Sequence, residues 1–191
     1  MPYTVTEFFD LTILPELNAT KKYFEETLNH LEDKFTSTEA FTESFSIMMK
    51  KSFLITSYTI LEKQLNMLAR LVEKNSNTSL KLVDLRHRGI FRDYNYLIKV
   101  VGFTPPPTKL WKKIKIYNKI RNCFVHDTRK VFNYNDVAKL SNKLVPYIHF
   151  KKEQNDRYTI NAIHSNIIID FIDTIAEFLK FLWVESSKIK N

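Results

Sequence analysis

Glycine is almost absent from this chain: two residues in 191, Gly89 and Gly102. Proline is the other strong punctuator, and three of its six copies stand together at Pro105-Pro106-Pro107. Sheet-rich and linker-rich proteins need turn residues at short intervals, so this distribution leaves long uninterrupted helices as the expected architecture. A hydrophobic content of 44% over this length is enough for one sizeable core and too little to require two, so the expectation is a single domain spanning residues 1–191.

Hydrophobic spacing places the helices. Apolar residues recur at three and four from Leu17 to Phe35 and again from Glu39 to Lys74. In the second stretch Leu54, Tyr58, Leu61, Leu65, Leu68 and Val72 form one stripe, with Glu39, Lys50, Lys63 and Lys74 on the wet side. A third helix is expected over Gly89–Val101, broken by the GFTPPPT stretch, after which Thr108 is placed to cap a helix over Lys109–His126. A short helix follows around Tyr134–Leu144. PYIHFKKEQNDRYTI then reads as a hairpin turning near Asn155-Asp156. The last helix is expected over Ala162–Ser186, buried through Ile168, Phe171, Ile175, Phe178 and Leu182 and wet at Asp170, Asp173, Glu177 and Lys180. The fold class is therefore all-α: a bundle of four to five long helices with a small β-hairpin inserted before the last.

The same charges exclude a membrane span at Ile167–Trp183, the one stretch apolar enough to raise the question. A single cysteine, Cys123, allows no internal disulfide, and MPYTVTEFFD has neither a basic n-region nor an apolar h-region, which points to a reducing cytoplasm. Charge is distributed unevenly. Thirteen Lys and Arg between Lys81 and Lys130 face three Asp, a local excess of +10 in a chain whose overall charge is +8. Such a concentrated excess favours a phosphate-rich partner over charge spread for general solubility.

The helix over Lys109–His126 lies inside that basic segment. At 100° per residue Lys112, Lys115, Lys119, Asn122 and His126 share one face, so the three lysines are candidate RNA-binding residues on the track that leads to the histidine. Leu110, Ile114, Tyr117 and Phe124 form the neighbouring apolar stripe. Arg121 falls into that stripe, at the boundary of the core, and needs a partner there. Glu62, on the edge of its own stripe, is either a boundary residue or that partner. Cys123 reads as a small core residue and Tyr117 as a core aromatic, whereas Trp111 is either packed or free to stack on a base. His30 and His87 lack partners at ligand spacing, His149 lies in the expected hairpin, His164 extends the apolar stripe of the last helix, and no metal site is expected.

Arg121-Asn122-Cys123-Phe124-Val125-His126 resembles the Arg-x4–6-His motif of the HEPN superfamily, at its minimal spacing and with the polar residue that commonly follows the family's arginine. HEPN domains are helical bundles of about this size, with the motif late on a core helix. The resemblance implies a metal-independent endoribonuclease of toxin or antiviral-defence type. Arg121, Asn122 and His126 would be catalytic, no cofactor would be needed, and the partners would be RNA, a second copy with facing motifs and an antitoxin or other defence-system protein. Some members are non-catalytic modules that bind RNA or protein, which is the alternative here. Toxins paired with nucleotidyltransferase antitoxins often extend the motif to His-x-Tyr; Thr128 stands in that place, so modification there is not expected.

Overall fold

The structure is a computed structural model that describes residues 5–34, 39–125, 147–153 and 157–188. It is predominantly helical, with one two-stranded antiparallel sheet among the described residues. Helix α1 (Val5–Phe8) runs through a π-helical turn at Phe9–Ile13 into α2 (Leu14–Lys34). Helix α3 (Glu39–Asn75) is followed by a 3-10 turn at Leu82–Asp84 and then by α4 (Ile90–Asn95), which continues as a second π-helical turn at Tyr96–Val100. Helix α5 spans Thr108–Val125, strands β1 and β2 span Ile148–Glu153 and Arg157–Ile163, and α6 spans Asn166–Ser186.

The long helix α3 is the spine, touching α2, α4, α5 and α6. Its stripe residues Leu54, Tyr58, Leu61, Leu65, Leu68 and Val72 are all buried, and so are Ile168, Phe171, Ile175, Phe178 and Leu182 of α6. Helical periodicity therefore located both faces. Phe171 lies at their centre, stacked on Tyr117 at 4.1 Å between ring centroids and on Tyr58 at 6.4 Å. These contacts join α3, α5 and α6 through one aromatic cluster.

Several boundaries differ from expectation. Helix does not begin at Leu17 but already at Val5, because Phe9, Ile13 and Leu17 continue one buried face once a π turn absorbs an extra residue. The last helix starts at Asn166 rather than Ala162, since residues up to Ile163 belong to β2. In the sheet Ile148 faces Ile163 and Glu153 faces Arg157, with an irregularity at His149/Phe150 where Asn161 has no opposite residue. Ile148 and Ile163 are buried, which seats the hairpin on the bundle. His164 accordingly does not extend the stripe of α6. It is exposed, and its Nδ1 accepts the backbone N–H of Asn166 at 3.3 Å. Asp170 is not on a wet face either, for it accepts bonds from α5. The expected helix around Tyr134–Leu144 and the turn at Asn155-Asp156 lie outside the described residues, as does His126.

Both glycines occupy positive φ, but for different reasons. Gly102 (φ 86°) ends the π turn where Val101 N–H bonds to Tyr96 and Phe103 N–H to Leu97, and the space around it is open. Gly89 (φ 56°) precedes α4, and a Cβ there would come within 3.2 Å of the Glu62 carboxylate. Among the described residues no helix is long and apolar enough to cross a membrane.

Phe171→Ala should remove the shared ring from the aromatic cluster, and a fully enclosed Phe→Ala change costs about 3–5 kcal/mol. Urea denaturation followed by far-UV circular dichroism is expected to show that loss. A cost below about 1 kcal/mol would mean that the cluster does not organise the core.

Candidate functional site

Helix α5 presents the two faces that its sequence predicts. Leu110, Ile114, Tyr117 and Ile120 are buried, and Lys112, Lys115 and Lys119 are exposed. Phe124 is only partly buried, with the Lys51 ammonium 5.4 Å from its ring centroid. Cys123 is partly buried and packs against the core. Trp111, left open between packing and stacking on a base, is packed. Its ring lies parallel to Tyr94 at 3.8 Å and near Phe178 and Phe91 at 5.7 and 5.5 Å. That stack fastens α4 to α5 and α6.

Arg121 is the centre of a polar cluster between α3, α4 and α5. Its side chain is 21% exposed, and its Nη2 lies 3.5 Å from Oε2 of Glu62, so Glu62 is the partner that a core-boundary arginine requires. Nη1 donates to Oδ1 of Asn122 at 3.0 Å, and the guanidinium sits over the Tyr58 ring at 5.0 Å. Nε is buried and finds no acceptor among the described residues. An arginine carries five N–H donors; here one is hydrogen-bonded, to Asn122, and Nη2 faces Glu62 as an ion pair. The remainder, on a partly exposed group, can still grip an anion through a bidentate contact.

Asn118 is the residue that sequence reasoning missed. Its Oδ1 accepts both the Tyr58 hydroxyl at 2.8 Å and Nδ2 of Asn122 at 3.3 Å, which fixes the amide that Arg121 in turn bonds. The signal was the i, i+4 spacing of Asn118 and Asn122 on one face of the helix. On α3 the matching residues recur every fourth position: Tyr58, Glu62, Asn66 and Arg70. Asn66 Nδ2 donates to Asp93 of α4 at 3.1 Å, Arg70 Nε donates to Asn66 Oδ1 at 2.9 Å, and Arg92 pairs with Asp93 at 2.8 Å.

Burial dominates the electrostatics of Glu62. Loss of water pushes its carboxyl above the ordinary 4.5, Arg121 opposes that rise, and the nearby Asp93 adds to it. Tyr58 is likewise raised, first by burial and then by Glu62, with Arg121 opposing, so its hydroxyl remains a donor to Asn118. A second cluster ties α5 to α6: Asp170 accepts from Lys113 at 2.6 Å and from the Tyr117 hydroxyl. Asp170 is therefore a structural acceptor, and Lys113 does not belong to the exposed basic face.

His126 follows directly on Val125, the last described residue of α5, and itself lies outside the described residues, as do Asp127 and Thr128. The described part of the expected site is thus Arg121 and Asn122 side by side, with Lys112, Lys115 and Lys119 along the exposed side of the same helix. Among the described residues no group of three or more His, Cys, Asp or Glu could hold a metal ion. A cleft of about 610 Å³ at the C-terminal end of α3 is lined by Asn75, Thr78, Gly102, Thr104 and Glu185 and contains none of these residues.

The fold and this cluster define a predominantly helical bundle with an arginine-centred polar site at one end of a basic helix. Comparison with family models, curated proteins and solved structures finds no match for the chain.

Titration of the cluster should be visible in stability alone. A carboxyl whose folded-state pKa is raised contributes stability that is full below its unfolded value and lost as pH rises through the folded one. Unfolding free energy should therefore contain a component that declines as pH rises above about 4.5, and Glu62→Gln should remove it. Arg121→Met, which takes away the cation that lowers that carboxyl, should carry the decline to higher pH. Urea titrations at a series of pH values test both, and identical pH profiles for all three proteins would contradict the pairing.

Proposed function

We propose that the chain is a metal-independent endoribonuclease of HEPN type, acting in a toxin or antiviral-defence role as a two-fold dimer. The observation that carries this reading is Arg121. It stands at the core boundary late on a basic helix, preorganised by Glu62, Asn122 and the Tyr58 ring, and keeps donors available for an anion. The Arg121-Asn122-(x3)-His126 motif supplies the remaining chemistry.

In this mechanism His126 removes the proton of an RNA 2′-hydroxyl, and that oxygen bonds to the adjacent phosphorus. Arg121 stabilises the charge that builds on the non-bridging oxygens, while Asn122 orients the phosphate. The bond from phosphorus to the 5′-oxygen breaks, and the leaving oxygen takes a proton from the corresponding histidine of the second copy. The products end in 2′,3′-cyclic phosphate and 5′-hydroxyl. Lys112, Lys115 and Lys119 hold the backbone phosphates of the substrate.

One observation favours a second reading. The Arg121–Glu62 pair offsets the arginine's charge within the chain, as suits a non-catalytic module that binds RNA or a protein partner through the same face.

Purified protein incubated with total RNA in EDTA should cut it, and His126→Ala should lower the rate by about 10²–10⁴-fold, the usual loss on removing a general base. Mass spectrometry of the ends should find cyclic phosphate, and light scattering should find a dimer. Wild-type rates in His126→Ala would withdraw the mechanism. An inert wild type that still binds RNA would establish the second reading.

A further inference from the structure

The connection between α3 and α4 carries Arg86-His87-Arg88, three exposed residues directly before Gly89. The loop is anchored on both sides of them. Upstream, the buried Leu82 donates its N–H to Glu73 at 2.6 Å, and Asp84 accepts the N–H of Lys81 at 2.8 Å. Downstream, Gly89 lies against the carboxylate of Glu62, which is the carboxylate that pairs with Arg121. The loop therefore enters α4 at the rim of the arginine cluster, and its φ of 56° at Gly89 fixes that entry.

The arginines of the described bundle divide into two groups. Arg70, Arg92 and Arg121 each bond a side chain of the chain itself, respectively Asn66, Asp93 and Glu62. Neither Arg86 nor Arg88 has a side-chain partner among the described residues; Asp84, two residues before Arg86, accepts Lys81 N–H, and Glu62, against Gly89, faces Arg121. Two guanidinium forks on an anchored loop, with no internal acceptor, fit a ligand that brings its own oxygens in pairs.

We propose that Arg86 and Arg88 form a phosphate-binding element that holds the sugar–phosphate backbone of single-stranded RNA next to the Arg121 cluster. The proposal rests on the reading of that cluster as RNA-facing. On α5, Lys112 and Arg121 are nine residues apart, which at 1.5 Å per residue is about 14 Å. Arg121 itself lies in the apolar stripe of that helix and not on the lysine face, so the loop, joined to the cluster through Gly89 and Glu62, supplies phosphate contacts beside Arg121 that the lysines do not. His87, between the two arginines, adds an exposed ring to the same surface.

The test is binding without cutting. Fluorescence anisotropy with a short labelled 2′-O-methyl RNA, which lacks the attacking hydroxyl, is measured for the wild type, for Arg86→Ala/Arg88→Ala and for an equal charge change at Lys74→Ala/Lys180→Ala. Loss of two single-strand phosphate contacts should lower the slope of log K against log salt by about 1.4. Affinity at low salt should fall at least about tenfold in the arginine pair and change little in the lysine pair. Because both arginines are exposed, thermal melting should be unchanged; Arg86→Gln/Arg88→Gln provides an independent version of the same change. Equal losses in the arginine and lysine pairs, an unaltered slope, or a wild type that does not bind overturns the proposal. A protein that binds through these arginines and never cuts natural RNA keeps this inference and loses the catalytic reading. One that cuts RNA with no dependence on them does the reverse.

Discussion

A guanidinium drawn partly out of water must be met by oxygen, and the placement of Arg121 imposes that requirement on three helices. Glu62 provides the opposing charge, Asn122 an amide oxygen and Tyr58 a ring face. Each of these is held in turn. Asn118 fixes Tyr58 and Asn122 together, and the close approach at Gly89 brings the start of α4 against Glu62. Breaking such a pair from one side leaves the other charge stranded, so its members act as a unit.

The fold was largely legible because its dominant signals are periodic. The α3 and α6 stripes announce which residues are enclosed, and the paucity of glycine announces that turns are few. What was not legible has a common cause. The π turns at Phe9–Ile13 and Tyr96–Val100 hide an extra residue inside a helical rhythm, so the reading began one helix too late at the N-terminus. The start of α6 was misjudged because Ala162 suits a helix by type, while pairing with β1 and the burial of Ile163 draw both residues into a strand.

The candidate site was readable in part. Position on the helix located Arg121 at the core boundary and predicted its need for a partner, and Glu62 was among the residues weighed. Asn118 was overlooked because a mid-helix asparagine carries no signal until the residue facing it, Tyr58, is known. Asp170 looked solvated from its own helix and is satisfied from another. Side chains whose role is set across helices cannot be recognised along one. The HEPN resemblance, carried by six consecutive residues, remains the basis for assigning chemistry to this cluster.

Two tryptophans stand at very different depths, and this gives the protein an optical report on itself. Trp183 is enclosed in the core, whereas Trp111 is half-buried in a parallel stack with Tyr94. Stacked chromophores at 3.8 Å couple their transitions, so the seam between α4 and α5 contributes to the near-ultraviolet dichroism of the chain. A ligand that shifts α4, or the loop leading into it, changes that seam directly. The chain needs no label for such an event to be followed in real time.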